Sequence, residues 1–401
     1  MLILHCKVLE NIIQRGIQPM LYLDNSATTK PYPDVLDTYR QVAEKFFGNP
    51  SSLHHLGVQA ERLLTKAREQ VADLLGVSGQ EIIFTSGATE GNNLAIKGAA
   101  FAQRHKGKHL ITTVIEHPSV SEAFEQLEKE FGFEVTWIPV NENGIVSPAD
   151  IQKAVRNDTI LVSVMHVNNE IGAIQPIEEI GEILKNYPNI VYHVDHVQGV
   201  GKVPLNIKKA GIDLCTISGH KFHALNGTGV LYIRKNTPIL TLLSGGGQEA
   251  SIRSGTENLA GSVSLAKGLR LAFNDYEEKI DRLINTKNYL INELEKIDGI
   301  IINTPKESSA PHIINFSVPG IKAEVLVHML EEENIYVSTT SACSSRKKGE
   351  SKVLKAMGKK SSITESAIRI SLSIGQTIDD VKPLIDVLPS SIQKLKNIMG
   401  L

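Results

Sequence analysis

Cysteine is scarce. The 401 residues include three, Cys6, Cys215 and Cys343. An odd number, widely spaced and without a CxxC pair, argues against a disulfide framework or a zinc site. Net charge is nearly absent as well: 42 Lys and Arg against 44 Asp and Glu leave −2, so no bulk field marks a nucleic-acid or membrane binder. No apolar run approaches the length of a membrane span. The short apolar Met1–Leu4 is no signal h-region and lacks a small-residue cleavage site. Internal repeats and low-complexity linkers are missing too. What remains is the composition of an ordinary globular protein, long enough for a large domain plus a smaller one. It suits a reducing cytoplasm in which one thiol stays free to react.

The well-patterned sequence begins at Met20. Residues 1–20 are expected to be an N-terminal arm outside the fold, or the result of a start codon placed too early, rather than a targeting segment. From about Val58 to Ile233, short β-branched runs alternate with amphipathic stretches. The expected strands are Glu81–Phe84, His109–Val114, Glu134–Ile138, Ile160–Met165, Ile190–Val194, Asp213–Ile217 and Gly229–Ile233. Val58–Leu75 is one such helical stretch, with Leu63, Leu64, Ala67, Val71, Leu74 and Leu75 on one stripe. Such alternation predicts an α/β fold with a mostly parallel sheet covered on both faces. After Ser254 a long helical stretch, Ala260 to Ile297, leads into strand-like His312–Val318 and Ala367–Leu372 and helical Ala323–Glu332 and Asp379–Ile398. The expected division is a large domain over 21–270, its first residues packing on the small one, and a small α+β domain over 271–401.

In such sheets, ligands sit outside the carboxyl ends of the strands, and three polar signatures fall there. Phe84-Thr85-Ser86-Gly87-Ala88-Thr89-Glu90-Gly91 follows a strand and opens a helix; small residues and a helix N-terminus suit a phosphate. A plain helix capped by Thr89 would look the same. His193-Val194-Asp195-His196-Val197-Gln198 puts a carboxylate at a buried strand end, where it needs a cationic or hydrogen-bonding partner. A protonated pyridinium is one such partner, and a nearby turn is another. Ser218-Gly219-His220-Lys221 puts a lysine in the same crevice. Desolvated there, its amine becomes a nucleophile able to form an imine, although a lone lysine after a strand is more often solvated. The order of a phosphate cradle, a strand-end Asp and then a strand-end Lys weighs against that solvated reading.

Taken with Tyr22-Leu23-Asp24-Asn25-Ser26-Ala27-Thr28-Thr29 and Met165-His166-Val167-Asn168-Asn169-Glu170, these motifs closely resemble the cysteine desulfurases, the NifS/IscS-like branch of the class V aminotransferases. The resemblance runs in order from about Leu21 to the C-terminus. It implies pyridoxal-phosphate fold type I, a seven-stranded large-domain sheet and a homodimer. It implies Lys221 as the Schiff-base residue, Asp195 on the pyridinium nitrogen and Gln198 near the ring hydroxyl. Ala88, Thr89, Ser218 and His220 would hold the phosphate, and Thr256 would reach it from the partner subunit. His117 would stack on the ring and is a candidate acid or base. Asn169 and Arg369 would face the substrate carboxylate, a task that suits a forked guanidinium.

Cys343 decides which class V chemistry is run. Its stretch, Ser338 to Gly349, is small, polar and basic, and it reads as an exposed loop where nearby cations favour a reactive thiolate. It matches the family's sulfur-accepting cysteine, which implies removal of sulfur from L-cysteine, a persulfide on Cys343 and release of alanine. Cys215 alternates with apolar residues and reads as packing. The loop is similar to those of desulfurases from Gram-positive bacteria that serve tRNA thiolation rather than iron–sulfur assembly. Partners are therefore L-cysteine and a sulfur-acceptor protein, either a tRNA-thiolation enzyme or an iron–sulfur scaffold, with no direct nucleic-acid or membrane binding. Two departures stand out. His196 replaces a small residue after the pyridinium-binding Asp and is expected to add an imidazole near the ring. Ala224-Leu225-Asn226 replaces a Gly-Pro-Lys stretch after Lys221. The alternatives are a selenocysteine lyase, a cysteine-sulfinate desulfinase, a true aminotransferase or a non-catalytic scaffold.

Overall fold

The computed structural model describes residues 20–339 and 350–400. Its first strand, β1 (Leu21–Tyr22), stands apart from the sheet that follows in sequence. That sheet contains β2 (Ile82–Thr85), β3 (His109–Thr113), β4 (Glu134–Ile138), β5 (Thr159–Met165), β6 (Val191–Asp195), β7 (Leu214–Ser218) and β8 (Gly229–Ile233). Their spatial order is β2-β8-β7-β6-β5-β3-β4. Only β8 runs antiparallel to its neighbours; the other pairs are parallel. All seven expected strands are present, several displaced by one residue. Burial explains the pattern: every residue of β5, Thr-Ile-Leu-Val-Ser-Val-Met, is buried, as helices on both faces of a parallel sheet require. At the edge, β4 is buried only at Ile138.

The helix Ala88–Gln103 packs closely on the sheet because of one glycine. A Cβ at Gly91 would stand 2.8 Å from Cγ2 of Thr216 in β7, so no larger residue fits without displacing the helix. This contact sets the height of the helix N-terminus above the strand ends.

A second sheet holds β9 (Ile301–Ile302), β10 (Ile313–Ser317), β12 (Ser338–Thr339) and β13 (Ala367–Ser371), antiparallel throughout in the order β12-β13-β10-β9. The long helix expected over Ala260–Ile297 is two helices, Leu259–Phe273 and Tyr276–Leu294. Asn274 is extended and Asp275 takes φ 51. Asn and Asp tolerate such backbone states and compete with helical hydrogen bonding, and apolar periodicity on both sides hides the break.

β1 pairs in parallel with β11 (Ile335–Tyr336), and Asp24 bridges to Ser371. The segment after β1 thus lies against the second sheet before passing under the ends of β6 and β7. One apolar cluster, including Leu64, Phe222, Leu269, Phe316 and Leu384, joins the two sheets. Among the described residues no helix is long and apolar enough to cross a membrane.

Candidate active site

A cavity of about 540 Å³ opens at the carboxyl ends of the large sheet, where side chains from successive parallel strands converge. Ala88, Thr89, His117, Asn169, Asp195, Gln198, Ser218, His220, Lys221 and Arg369 all line it. Thr256 does not; it is exposed, just before the helix Leu259–Phe273. Cys343 lies outside the described residues, as does Cys6.

Lys221 ends a short 3-10 turn, Gly219–Lys221, that follows β7. Its Nζ donates to the carbonyl of Ala27 at 2.7 Å and to that of Ser26. Both acceptors belong to the segment stitched to the second sheet, so the two parts of the molecule meet at this amine. From behind, Lys202 Nζ donates to the Lys221 main-chain carbonyl at 2.7 Å. Lys202 is 2% exposed, and no carboxylate pairs with it among the described residues. Burial first, and then the charge of Lys221, push its pKa down to about 7.

That shift has a consequence for stability. An unfolded lysine keeps its proton up to about pH 10.4, while folded Lys202 releases it near 7, so between these values the unfolded chain binds more protons. Stability on account of this residue therefore rises with pH across that window and is lowest below it. Wild type is expected to gain on the order of 2 kcal/mol from Lys202 between pH 7 and pH 9. The variant Lys202→Met should lack that gain. Urea midpoints of both proteins at the two pH values measure it, and parallel slopes would refute it.

At one end of the cavity, Asp195 closes β6. Its Oδ1 accepts from the Val197 amide at 3.0 Å and its Oδ2 from Asn92 Nδ2 at 2.9 Å. Gln198 Nε2 donates to the Ser26 carbonyl at 3.0 Å, while its buried Oε1 has no partner. His117 caps the helix Pro118–Phe131, its Nδ1 accepting from the Ser119 amide at 3.1 Å. Burial lowers the His117 pKa; Asp195 opposes this and Lys221 adds to it.

At the opposite end, Gly87 is the N-cap of the helix Ala88–Gln103, with φ 151 and no side-chain cap. Thr89 is therefore not the cap, and the first amides of the helix remain available to an anion. Ser218 ends β7 beside them. His220 Nδ1 lies 3.2 Å from Thr28 Oγ1, and burial, then Lys221, Lys202 and His117, bring its pKa to about 4. It is a neutral ring at ordinary pH.

The third corner holds a buried guanidinium. Arg369, 3% exposed, donates from Nη2 to Asp24 Oδ1 at 2.7 Å and from Nη1 to the Asn169 carbonyl at 2.9 Å. Its buried Nε has no partner. Asn169 is held in place by Asn168, whose Oδ1 accepts from the amides of Glu170 and Ile171.

The structure corrects one expectation. His196 is not near the ring position: its imidazole is buried on the other side of the strand end, Nδ1 2.8 Å from His166 Nδ1, and it does not line the cavity. Successive residues at a strand end point to opposite faces, so a side chain next to inward-facing Asp195 turns away. The second departure does reach the site. Asn226 lines the cavity mouth, while Ala224 is buried against Gly268, where an added Cβ would come within 2.8 Å. Sequence reasoning missed Asn92, Lys202 and the role of Asp24. Asn92 alone carried a signal, since it lies one helical turn beyond Thr89 and so shares its face.

The donors fit pyridoxal 5'-phosphate. An orphaned amide oxygen on Gln198 awaits a hydroxyl, Asp195 offers a buried carboxylate to a cationic ring nitrogen, an uncapped helix end faces Ser218, and an amine stands between them. The family described as aminotransferase class-V matches residues 21–384. A NifS/IcsS protein homolog of Lactobacillus delbrueckii subsp. bulgaricus is 49% identical over 381 residues, covering 94% of this chain and 99% of that one. A cysteine desulfurase IscS of Dictyoglomus turgidum is 44% identical over 379 residues, covering 94% and 96%. The solved structure of a NifS-like protein superposes with a TM-score of 0.87 at 38% identity, covering 94% of this chain and all of that one. The chain belongs to the class V aminotransferases and, within them, to the pyridoxal-phosphate-dependent cysteine desulfurases.

Proposed function

We propose that this enzyme removes sulfur from L-cysteine, passes it through a persulfide on Cys343 to an acceptor protein, and releases L-alanine. The observation that carries this is the meeting of Lys221, Asp195 and Arg369 in one cavity, each at the corner its role requires. Lys221 would hold the cofactor, with Asp195 and Gln198 on its ring and Ala88, Thr89, Ser218 and His220 on its phosphate. Bound there, pyridoxal phosphate supplies an electron sink for the substrate α-carbon.

The chain's own residues do the rest. Arg369, oriented by Asp24, would receive the substrate carboxylate, and Asn169 would face the same group. That grip orients the α-hydrogen toward Lys221, whose amine takes the proton and later returns it. The Cys343 thiolate attacks the substrate sulfur. A sulfur–sulfur bond forms and the carbon–sulfur bond breaks, its electron pair remaining on the β-carbon, which then gains a proton.

Thr256 lies outside its own chain's cavity, which supports a homodimer in which each protomer lends this residue to the other. The small, polar stretch around Cys343 favours a tRNA-thiolation enzyme as acceptor over an iron–sulfur scaffold, in the cytoplasm. With L-cysteine and a thiol reductant, the purified enzyme is expected to form alanine and sulfide in equal amounts. Keto acid in place of alanine would identify a transaminase instead. Persulfide transfer to each acceptor class, measured side by side, tests the pathway.

A further inference from the structure

A chain of three hydrogen bonds runs from Asp195 to His117 through two residues to which the reaction gives no role. Asn92, wholly buried in the helix Ala88–Gln103, donates from Nδ2 to Asp195 Oδ2 at 2.9 Å and to Ser119 Oγ at 2.9 Å. Ser119 Oγ in turn lies 2.8 Å from His117 Nδ1. Two fixed donors set the direction of the chain, the Asn92 NH₂ at one end and the Ser119 amide at the other. A carboxylate only accepts, so the Asn92 amide must present its NH₂ to Asp195. The same NH₂ donates to Ser119 Oγ, whose own hydroxyl proton is free to point at His117 Nδ1. The Ser119 amide, a donor that cannot reverse, reaches the same nitrogen at 3.1 Å.

We propose that Asn92 and Ser119 are positioning residues that hold His117 as the neutral Nε2–H tautomer, with the Asp195 carboxylate setting the direction of the chain. Protonating Nδ1 would oppose the Ser119 amide, which cannot reverse, and would turn the Ser119 hydroxyl away, so the ring does not cycle through imidazolium during turnover. His117 then acts as a neutral stacking surface and hydrogen-bond donor, and proton transfer at the substrate α-carbon falls to Lys221. The surrounding charges agree: burial and Lys221 also favour the neutral ring, Asp195 alone opposes it, and neighbouring His220 is itself neutral. The inference rests on the reading of His117 as facing the cofactor ring.

The test is ¹⁵N NMR of histidine-labelled full-length protein, with and without pyridoxal phosphate, the His117 signals being those lost in His117→Ala. Wild type should show protonated Nε2 and bare Nδ1 from pH 6 to 9. In Ser119→Ala, and less in Asn92→Ala, the His117 midpoint should rise by about half a unit to one unit, the effect of one lost hydrogen bond. The acidic limb of the kcat/KM profile should move with it, and Ser119→Thr, which keeps the hydroxyl, should restore both. A proton on Nδ1 in wild type at neutral pH, or midpoints unmoved in both variants, would overturn the proposal. If His117 did not face the cofactor, the tautomer would still appear in the free protein but its signals would not respond to pyridoxal phosphate.

Discussion

Replacing Lys221 with alanine is expected to abolish turnover of L-cysteine, by roughly 10³-fold or more, while the protein stays folded. The size follows from two losses at once, that of the amine proposed to hold the cofactor and that of the base proposed to take the substrate α-proton, a role that alone contributes on the order of 10² to 10⁴. The fold should survive because Nζ donates to the Ser26 and Ala27 carbonyls on the cavity side, where water can replace it. The phosphate corner does not depend on the amine, so Lys221→Ala should still take up the cofactor, without a covalent link. Borohydride reduction followed by mass spectrometry separates the cases. Wild type should gain the mass of the reduced cofactor on Lys221, and the variant should gain none. Activity within tenfold of wild type would sink the assignment.

How much of this was legible beforehand depends on what each residue contacts. The strands of the large sheet were readable because both faces are buried, which forces runs such as Thr159–Met165 to be apolar and β-branched almost throughout. Asp195, Ser218 and Lys221 were readable because each follows such a run directly. The break at Asn274–Asp275 was hidden, since a helix that turns but keeps the same apolar stripe leaves no gap in the pattern. Lys202 was hidden for a different reason. A lysine is usually exposed, and nothing local says that this one is buried behind the Lys221 carbonyl. Likewise Asp24 finds Arg369 across 345 residues of chain, a pairing that no short-range rule reports. His196 was misread because its proximity in sequence to Asp195 was taken for proximity in space, and the pleat of a strand makes those opposites.

Replacing Cys343 with alanine is expected to lower sulfide production from L-cysteine by on the order of 10²-fold or more, without preventing the substrate from binding. The residue lies outside the described positions, yet its two flanks are placed. On one side Ser338 in β12 is paired with Arg369 in β13. On the other, Ser351 Oγ donates to Glu170, next to Asn169. Both flanks of the stretch therefore lie beside the two groups that would face the substrate carboxylate. Arg346, Lys347 and Lys348 in the same stretch favour the thiolate over the thiol. Cys215 offers the contrast: wholly buried in β7, its thiol pKa is raised by desolvation and then by Asp195, so it stays an unreactive packing group. Substitution of Cys215 by alanine should lower stability and leave the chemistry alone. The decisive readout for Cys343→Ala is a split. Addition of L-cysteine should still change the cofactor absorbance, because Lys221, Asp195 and Arg369 are intact, while sulfur delivery fails. Loss of both would make Cys343 a structural residue, and undiminished sulfide would mean that sulfur leaves this site without a carrier.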